Sequence, residues 1–129
     1  MFTMTDTKKT ILIVEDEEPM QLVLKDILAF EGFDVFEAKN GEEGLEMALR
    51  VRPDLILLDI LMPQMNGLVM LKKLREDEWG KKAKVIILTN YDEKENVAEA
   101  LDNKVFDYFV KTDIKITEVI QKIKEKLEV

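Results

Sequence analysis

The residues able to do chemistry in this chain recur at one kind of place, the C-terminal end of an apolar run. Thr10 to Val14 leads into Glu15-Asp16, Leu55 to Leu58 into Asp59, Val85 to Leu88 into Thr89, and Val105 to Val110 into Lys111. A further run, Phe33 to Glu37, leads only to Ala38-Lys39 and suggests nothing. If the runs ending in Glu15-Asp16 and Asp59 lie side by side, three carboxylates share one rim. Each pair would repel by roughly 4 kcal/mol at 4 Å and an effective dielectric of 20, so a counter-charge is required. Oxygen ligands without nitrogen or sulfur select a hard cation. Mg2+, which keeps waters and phosphate oxygens in its shell, is the expected one, with Mn2+ as a substitute. Thr89 then offers a hydroxyl donor, and Lys111 a cation, for phosphoryl oxygens. Asp59 has an apolar run behind it and the turn-rich LMPQMNG after it. It is the candidate phosphoryl acceptor, a carboxylate that forms an acyl phosphate.

Composition removes other chemistries. The 129 residues include no cysteine and no histidine, which excludes disulfides, thiol nucleophiles, histidine bases and the usual zinc ligands. No G-x-x-x-x-G-K-[ST] stretch occurs, so no P-loop holds a nucleotide donor. A phosphohistidine donor must belong to another protein. The net charge of −8, from 27 acids against 19 bases, disfavours direct nucleic-acid binding. No apolar run approaches the roughly 20 residues of a membrane span, and MFTMTDTKK lacks the apolar core of a secretory signal. Membrane insertion is not expected, and the cytoplasm is the expected location.

The elements that must position these residues alternate. The continuous apolar runs read as buried strands, and Phe33 to Glu37, which alternates, reads as an edge strand. Between them Met20, Val23, Leu24, Ile27 and Leu28 form one helical face, closed by Gly32. Leu45, Ala48 and Leu49 form a second before Pro53, and Gly67 opens a third with Leu68, Leu71 and Leu74 inward. Asp92 and Glu95 give a D-x-x-E capping signal for a fourth that buries Val97, Ala100 and Leu101. Ile116, Val119, Ile120, Ile123 and Leu127 make the fifth. Five strands alternating with five helices predict an α/β fold, a parallel sheet covered on both faces. One domain over residues 10–129 is expected, behind a flexible N-terminal segment, 1–9.

The pieces ILIVEDEE, LILLDILMPQMNG, VIILTN and DYFVKTD, in this order and at these strand ends, resemble the receiver domain of two-component response regulators. The likeness is to single-domain, chemotaxis-regulator-like members. It implies a flavodoxin-like (βα)5 fold, a doubly wound five-stranded parallel sheet of order 2-1-3-4-5. By that resemblance Asp59 would be the phosphoacceptor, with Mg2+ on the side chains of Asp16 and Asp59 and the Leu61 backbone carbonyl. Glu15 would act at the metal mainly through water. Thr89 and Lys111 would bind phosphoryl oxygens, and Tyr108 would be the switch aromatic that follows Thr89. The fourth helix, fifth strand and fifth helix would form the surface that changes on phosphorylation.

The implied function is a phosphorylation-activated signalling switch rather than an enzyme, self-catalysing its own phosphorylation and dephosphorylation at most. Its partners would be a sensor histidine kinase or histidine phosphotransfer protein and a downstream protein, acting on a monomer or weak dimer. Three positions depart from the family pattern: Glu15 for the commoner Asp, Asn90 for a small residue, and Thr112 for the proline after Lys111. They keep open an alternative, a pseudo-receiver that signals without phosphorylation. A dehalogenase-type phosphatase is disfavoured, because its general acid would have to be Leu61. The bulk of Leu61 and Tyr91 predicts slow hydrolysis of the phosphoform.

Overall fold

The computed structural model describes residues 8–60, 62, 65–90, 98–100, 102–105, 107–111 and 114–129. Its elements are β1 (Thr10–Val14), α1 (Glu18–Phe30), β2 (Asp34–Ala38), α2 (Gly41–Val51), β3 (Leu55–Leu58), α3 (Gly67–Arg75) and β4 (Val85–Thr89). Residues 98–100 and 102 are helical and are denoted α4, followed by β5 (Asp107–Val110) and α5 (Ile116–Leu127). The strands form one parallel sheet in the order β2-β1-β3-β4-β5.

The unbroken apolar strands are explained by two separate cores. Leu12, Val14, Ile56, Leu58, Val85 and Ile87 point to one face, where they pack with Ala48 of α2, Leu71 and Leu74 of α3 and Ala100 of α4. Ile11, Ile13, Leu55, Leu57, Ile86 and Leu88 point to the other, against Leu24 and Leu28 of α1 and Val119 and Ile123 of α5. A strand with helices on both sides has no solvent face, so alternation disappears from its sequence. Strand β2 lies at an edge, as its alternation predicts, but spans Asp34–Ala38, one residue later than the pattern placed it. Phe33, expected inside the strand, is buried just before it. At the other edge, β5 is half-buried along its whole length, and Val105 lies before it rather than in it. The Asp92–Glu95 capping signal, Val97 and Leu101 lie outside the described residues.

The helix starts are set by side chains in the turns. Asn40 Oδ1 accepts from the backbone N–H of Glu43 at 2.8 Å, and Asn66 Oδ1 from that of Val69 at 3.0 Å. Each is an N-cap that satisfies an orphan donor. Gly32, with φ of 99°, takes the left-handed turn that ends α1. Gly67 has a different role. A β-carbon there would stand 2.2 Å from the carbonyl oxygen of Asp59. Its absence lets α3 start directly against the backbone that carries the candidate acceptor.

At the opposite end of the sheet, Arg75 fastens the last turn of α3. Its guanidinium donates to the carbonyls of Asn103 (2.9 Å), Gly80 (2.6 Å), Ala83 (2.8 Å) and Lys104 (3.0 Å). One cation thereby ties the turn before β4 to the turn before β5. Hydrogen bonds to charged donors are worth about 1.5–3 kcal/mol each, with water recovering part of the loss. Arg75→Met is therefore expected to lower unfolding free energy by about 2–4 kcal/mol in denaturant titration. Gly67→Ala is expected to cost about 1–3 kcal/mol in the same measurement, because α3 must move off the Asp59 backbone.

Candidate functional site

The sheet register brings the strand ends together. Strands β1 and β3 are neighbours, Val14 is paired with Leu58, and the Asp59 N–H donates to the Val14 carbonyl at 3.0 Å. Glu15 and Asp59 consequently leave adjacent strands at the same height. Glu15 is held from the other side, its N–H donating to Ala38 O at 3.0 Å. On β4 and β5, Thr89 is paired with Val110, and the Lys111 N–H donates to Thr89 O at 2.8 Å. The buried side-chain amide of Gln21, on α1, donates to Glu15 O at 3.1 Å and Ala38 O at 3.0 Å. It seals the gap where β1 and β2 part, a place where unpaired carbonyls would otherwise be costly.

Lys111 is the centre of charge. Its Nζ lies 2.7 Å from Glu15 Oε1, 3.0 Å from Glu17 Oε1 and 3.3 Å from Asp59 Oδ2. The side chains of Lys111, Glu15 and Asp59 are only 6%, 3% and 4% exposed, whereas that of Glu17 is 58% exposed. Burial works against the Lys111 ammonium, but its hydrogen bonds to Glu15 and Glu17 and the charges of Asp59 and Glu15 outweigh it. The net result holds its pKa above the ordinary lysine value. Glu15 is pushed up to about 7, first by burial and then by the charge of Asp59, against the pull of Lys111 and the Glu17 N–H. That N–H donates to Glu15 Oε2 at 3.1 Å.

The structure thus brings Glu15, Asp59 and Lys111 into contact. Asp16 is not in this contact group but lines a cleft of about 180 Å3 beside it, with Glu17, Asp59, Asn90 and Lys111. The tight acidic group among the described residues is Glu15, Glu17 and Asp59, whose ligand atoms lie within 4.8 Å of one another. Glu17 was missed by the strand-end reading, although ILIVEDEE does display a third acid in the turn. Thr89 is fully buried at the end of β4. Tyr108, paired with Ile87, packs partly buried against the core that faces α2 and α3. Leu61, Tyr91 and Thr112 lie outside the described residues. The donors are all carboxylate oxygens, and those of Glu17 and Asp59 line a cleft with room for water; the set fits a hard divalent cation. Among the described residues no helix is long and apolar enough to cross a membrane.

Known proteins give the same picture. The family described as the response regulator receiver domain matches residues 11–124. The regulatory protein AtoC of Escherichia coli (strain K12) is 40% identical over 101 residues, 78% of this chain and 22% of that protein. The transcriptional regulatory protein SrrA of Staphylococcus aureus (strain NCTC 8325 / PS 47) is also 40% identical over 101 residues, 78% of this chain and 41% of SrrA. The chain therefore spans well under half the length of these relatives. A CheY-like receiver domain protein from Methanospirillum hungatei JF-1 has a similar structure, with a TM-score of 0.88, 34% identity and 95% of each chain covered. The CheX-CheY-BeF3-Mg2+ complex from Borrelia burgdorferi gives a TM-score of 0.82 at 28% identity, covering 91% of this chain and 87% of that one. With its 2-1-3-4-5 sheet, its acid-lined rim and these likenesses, the chain belongs to the response-regulator receiver domains of two-component signalling.

Proposed function

We propose that the chain is a phosphorylation-activated switch in which Asp59 accepts a phosphoryl group from a histidine kinase or histidine phosphotransfer protein. The observation that carries this reading is the placement of Asp59. It is a buried carboxylate at the end of a central strand, with Lys111 Nζ at 3.3 Å and an open cleft beside it. A carboxylate oxygen of Asp59 bonds to phosphorus while the bond from phosphorus to the histidine nitrogen breaks, and the imidazole leaves with the electron pair. Asp59 reacts as the anion, so no base is needed, in keeping with a chain that has no histidine. Lys111 and the Thr89 hydroxyl receive the phosphoryl oxygens. Positioning and charge neutralisation supply most of the catalysis in such a transfer.

Mg2+ would be held by Asp16, Asp59 and the Leu61 carbonyl, with Glu15 acting through water. When bound, it neutralises charge on the transferring phosphoryl group. The pairing of BeF3 with Mg2+ in the similar Borrelia complex supports the same chemistry here. In this reading the receiver domain runs over residues 10–129 and acts in the cytoplasm. Tyr108 follows Thr89, and α4, β5 and α5 form the surface that a downstream partner reads.

Incubation with phosphoramidate and Mg2+ is expected to add the mass of one phosphoryl group to the intact protein. The addition should be lost in Asp59→Asn and in excess chelator. A wild-type protein that gains no mass under any of these conditions would instead be a pseudo-receiver, an interaction module with the fold alone.

A further inference from the structure

Glu17 belongs to the acidic group whose oxygens could face a cation, but neither the proposed transfer nor the Mg2+ ligands given above assign it a part. An ammonium has three N–H donors. Those of Lys111 face three carboxylates, with Glu15 at 2.7 Å, Glu17 at 3.0 Å and Asp59 at 3.3 Å. The three acceptors are unequal. Glu15 and Asp59 are buried on the ends of β1 and β3, so taking Lys111 from either leaves a carboxylate unpaired away from water. Glu17 sits in the turn before α1 with its side chain 58% exposed, and that side chain makes no capping bond to the helix. Water can replace Lys111 at Glu17 at little cost, as for other exposed ion pairs.

We propose that Glu17 is a positioning residue, a displaceable third partner that holds Lys111 at the cleft mouth until a donor's phosphoryl oxygens take its place. The inference rests on Asp59 being the phosphoryl acceptor. With acetyl phosphate as donor, an Asp59 oxygen bonds to phosphorus as the bond from phosphorus to the acetyl oxygen breaks. Acetate leaves with the electron pair, and Lys111 keeps its proton throughout. The incoming phosphoryl oxygens and the Glu17 carboxylate compete for the same N–H. Glu17 and Asp59 both line the cleft, so the competition takes place where the donor enters. Removing the charge at position 17 weakens the competitor and leaves the attacking carboxylate untouched. Capture of the donor should improve, while the rate of the bound complex stays the same.

The test follows intact mass against acetyl phosphate concentration at constant Mg2+ and ionic strength. In Glu17→Gln the initial slope of rate against donor is expected to rise about 2- to 5-fold, the range for releasing one half-exposed ion pair, with the plateau unchanged. Glu17→Asp, which keeps the charge, should return the slope toward the wild-type value. In a Lys111→Gln background the Glu17→Gln substitution should have no effect, because the partner through which it acts is gone. A slope unchanged or lowered in Glu17→Gln, or a rise that persists without Lys111, overturns the role of Glu17 while Asp59 phosphorylation stands. Absence of phosphorylation in the wild type overturns the acceptor reading and this inference with it.

Discussion

One ammonium among three carboxylates organises this rim. The parallel sheet delivers Glu15 and Asp59 to the same height on neighbouring strands, where two buried acids repel strongly. Lys111 resolves the repulsion by touching both, and its own burial is offset because each N–H finds a carboxylate. The balance is incomplete. Three carboxylates face one ammonium, so the cluster holds more acid than one lysine neutralises, and burial, followed by the charge of Asp59, pushes Glu15 up to about 7. A site with this surplus favours whatever brings positive charge to it, and that property suits it to a divalent cation followed by a phosphoryl group.

The rest of the fold can be understood as what keeps that cluster rigid. Both faces of the central strands are covered, so β1, β3 and β4 cannot slide without opening a core. At the rim itself the backbone is closed by two residues with no reactive role. Gln21 fills the carbonyls where β1 and β2 separate, and Gly67 admits α3 against the Asp59 peptide. At the far end Arg75 gathers four carbonyls from two turns and so fixes where β4 and β5 begin. In the proposed transfer, a carboxylate held this way would meet its donor in one geometry, which is the part of phosphoryl transfer that a protein can supply.

Much of this was legible in the sequence. Ile11 to Val14, Leu55 to Leu58 and Val85 to Leu88 are continuous because each strand feeds two cores; their ends named Glu15, Asp59 and Thr89, as the Val105 to Val110 run named Lys111. The resemblance to receiver domains added the strand order, which periodicity alone does not give. What stayed hidden depended on side-chain direction. Four acids follow one another from Glu15 to Glu18, and no period distinguishes Glu17, which joins Glu15 on a lysine 94 positions further along the chain. Gln21 and Arg75 lie outside the apolar helical faces read from the sequence, because a buried polar group is identified by the carbonyls it meets and not by its neighbours in sequence. The one-residue offset of β2 has the same origin. Phe33 is apolar and buried, but it is buried by the turn and not by the ladder.

The placement of Lys111 decides where a change at Asp59 would be felt. Lys111 directly follows β5, and its N–H is bonded to the Thr89 carbonyl, so its backbone is tied to the end of β4. Strand β5 is the edge of the sheet opposite β2, half-buried throughout, with Tyr108 two residues before its last. Edge elements with few buried contacts open at lower free energy than central ones. In the proposed reading, a phosphoryl group on Asp59 that drew Lys111 and Thr89 toward its oxygens would load this edge first, because Ile11 to Val14 and Leu55 to Leu58 are buried whereas β5 is only half-buried. The charge cluster and this edge strand are thus joined by a single residue. In the proposed switch, that connection would carry a change at Asp59 outward to the face of β5 and the helices beside it.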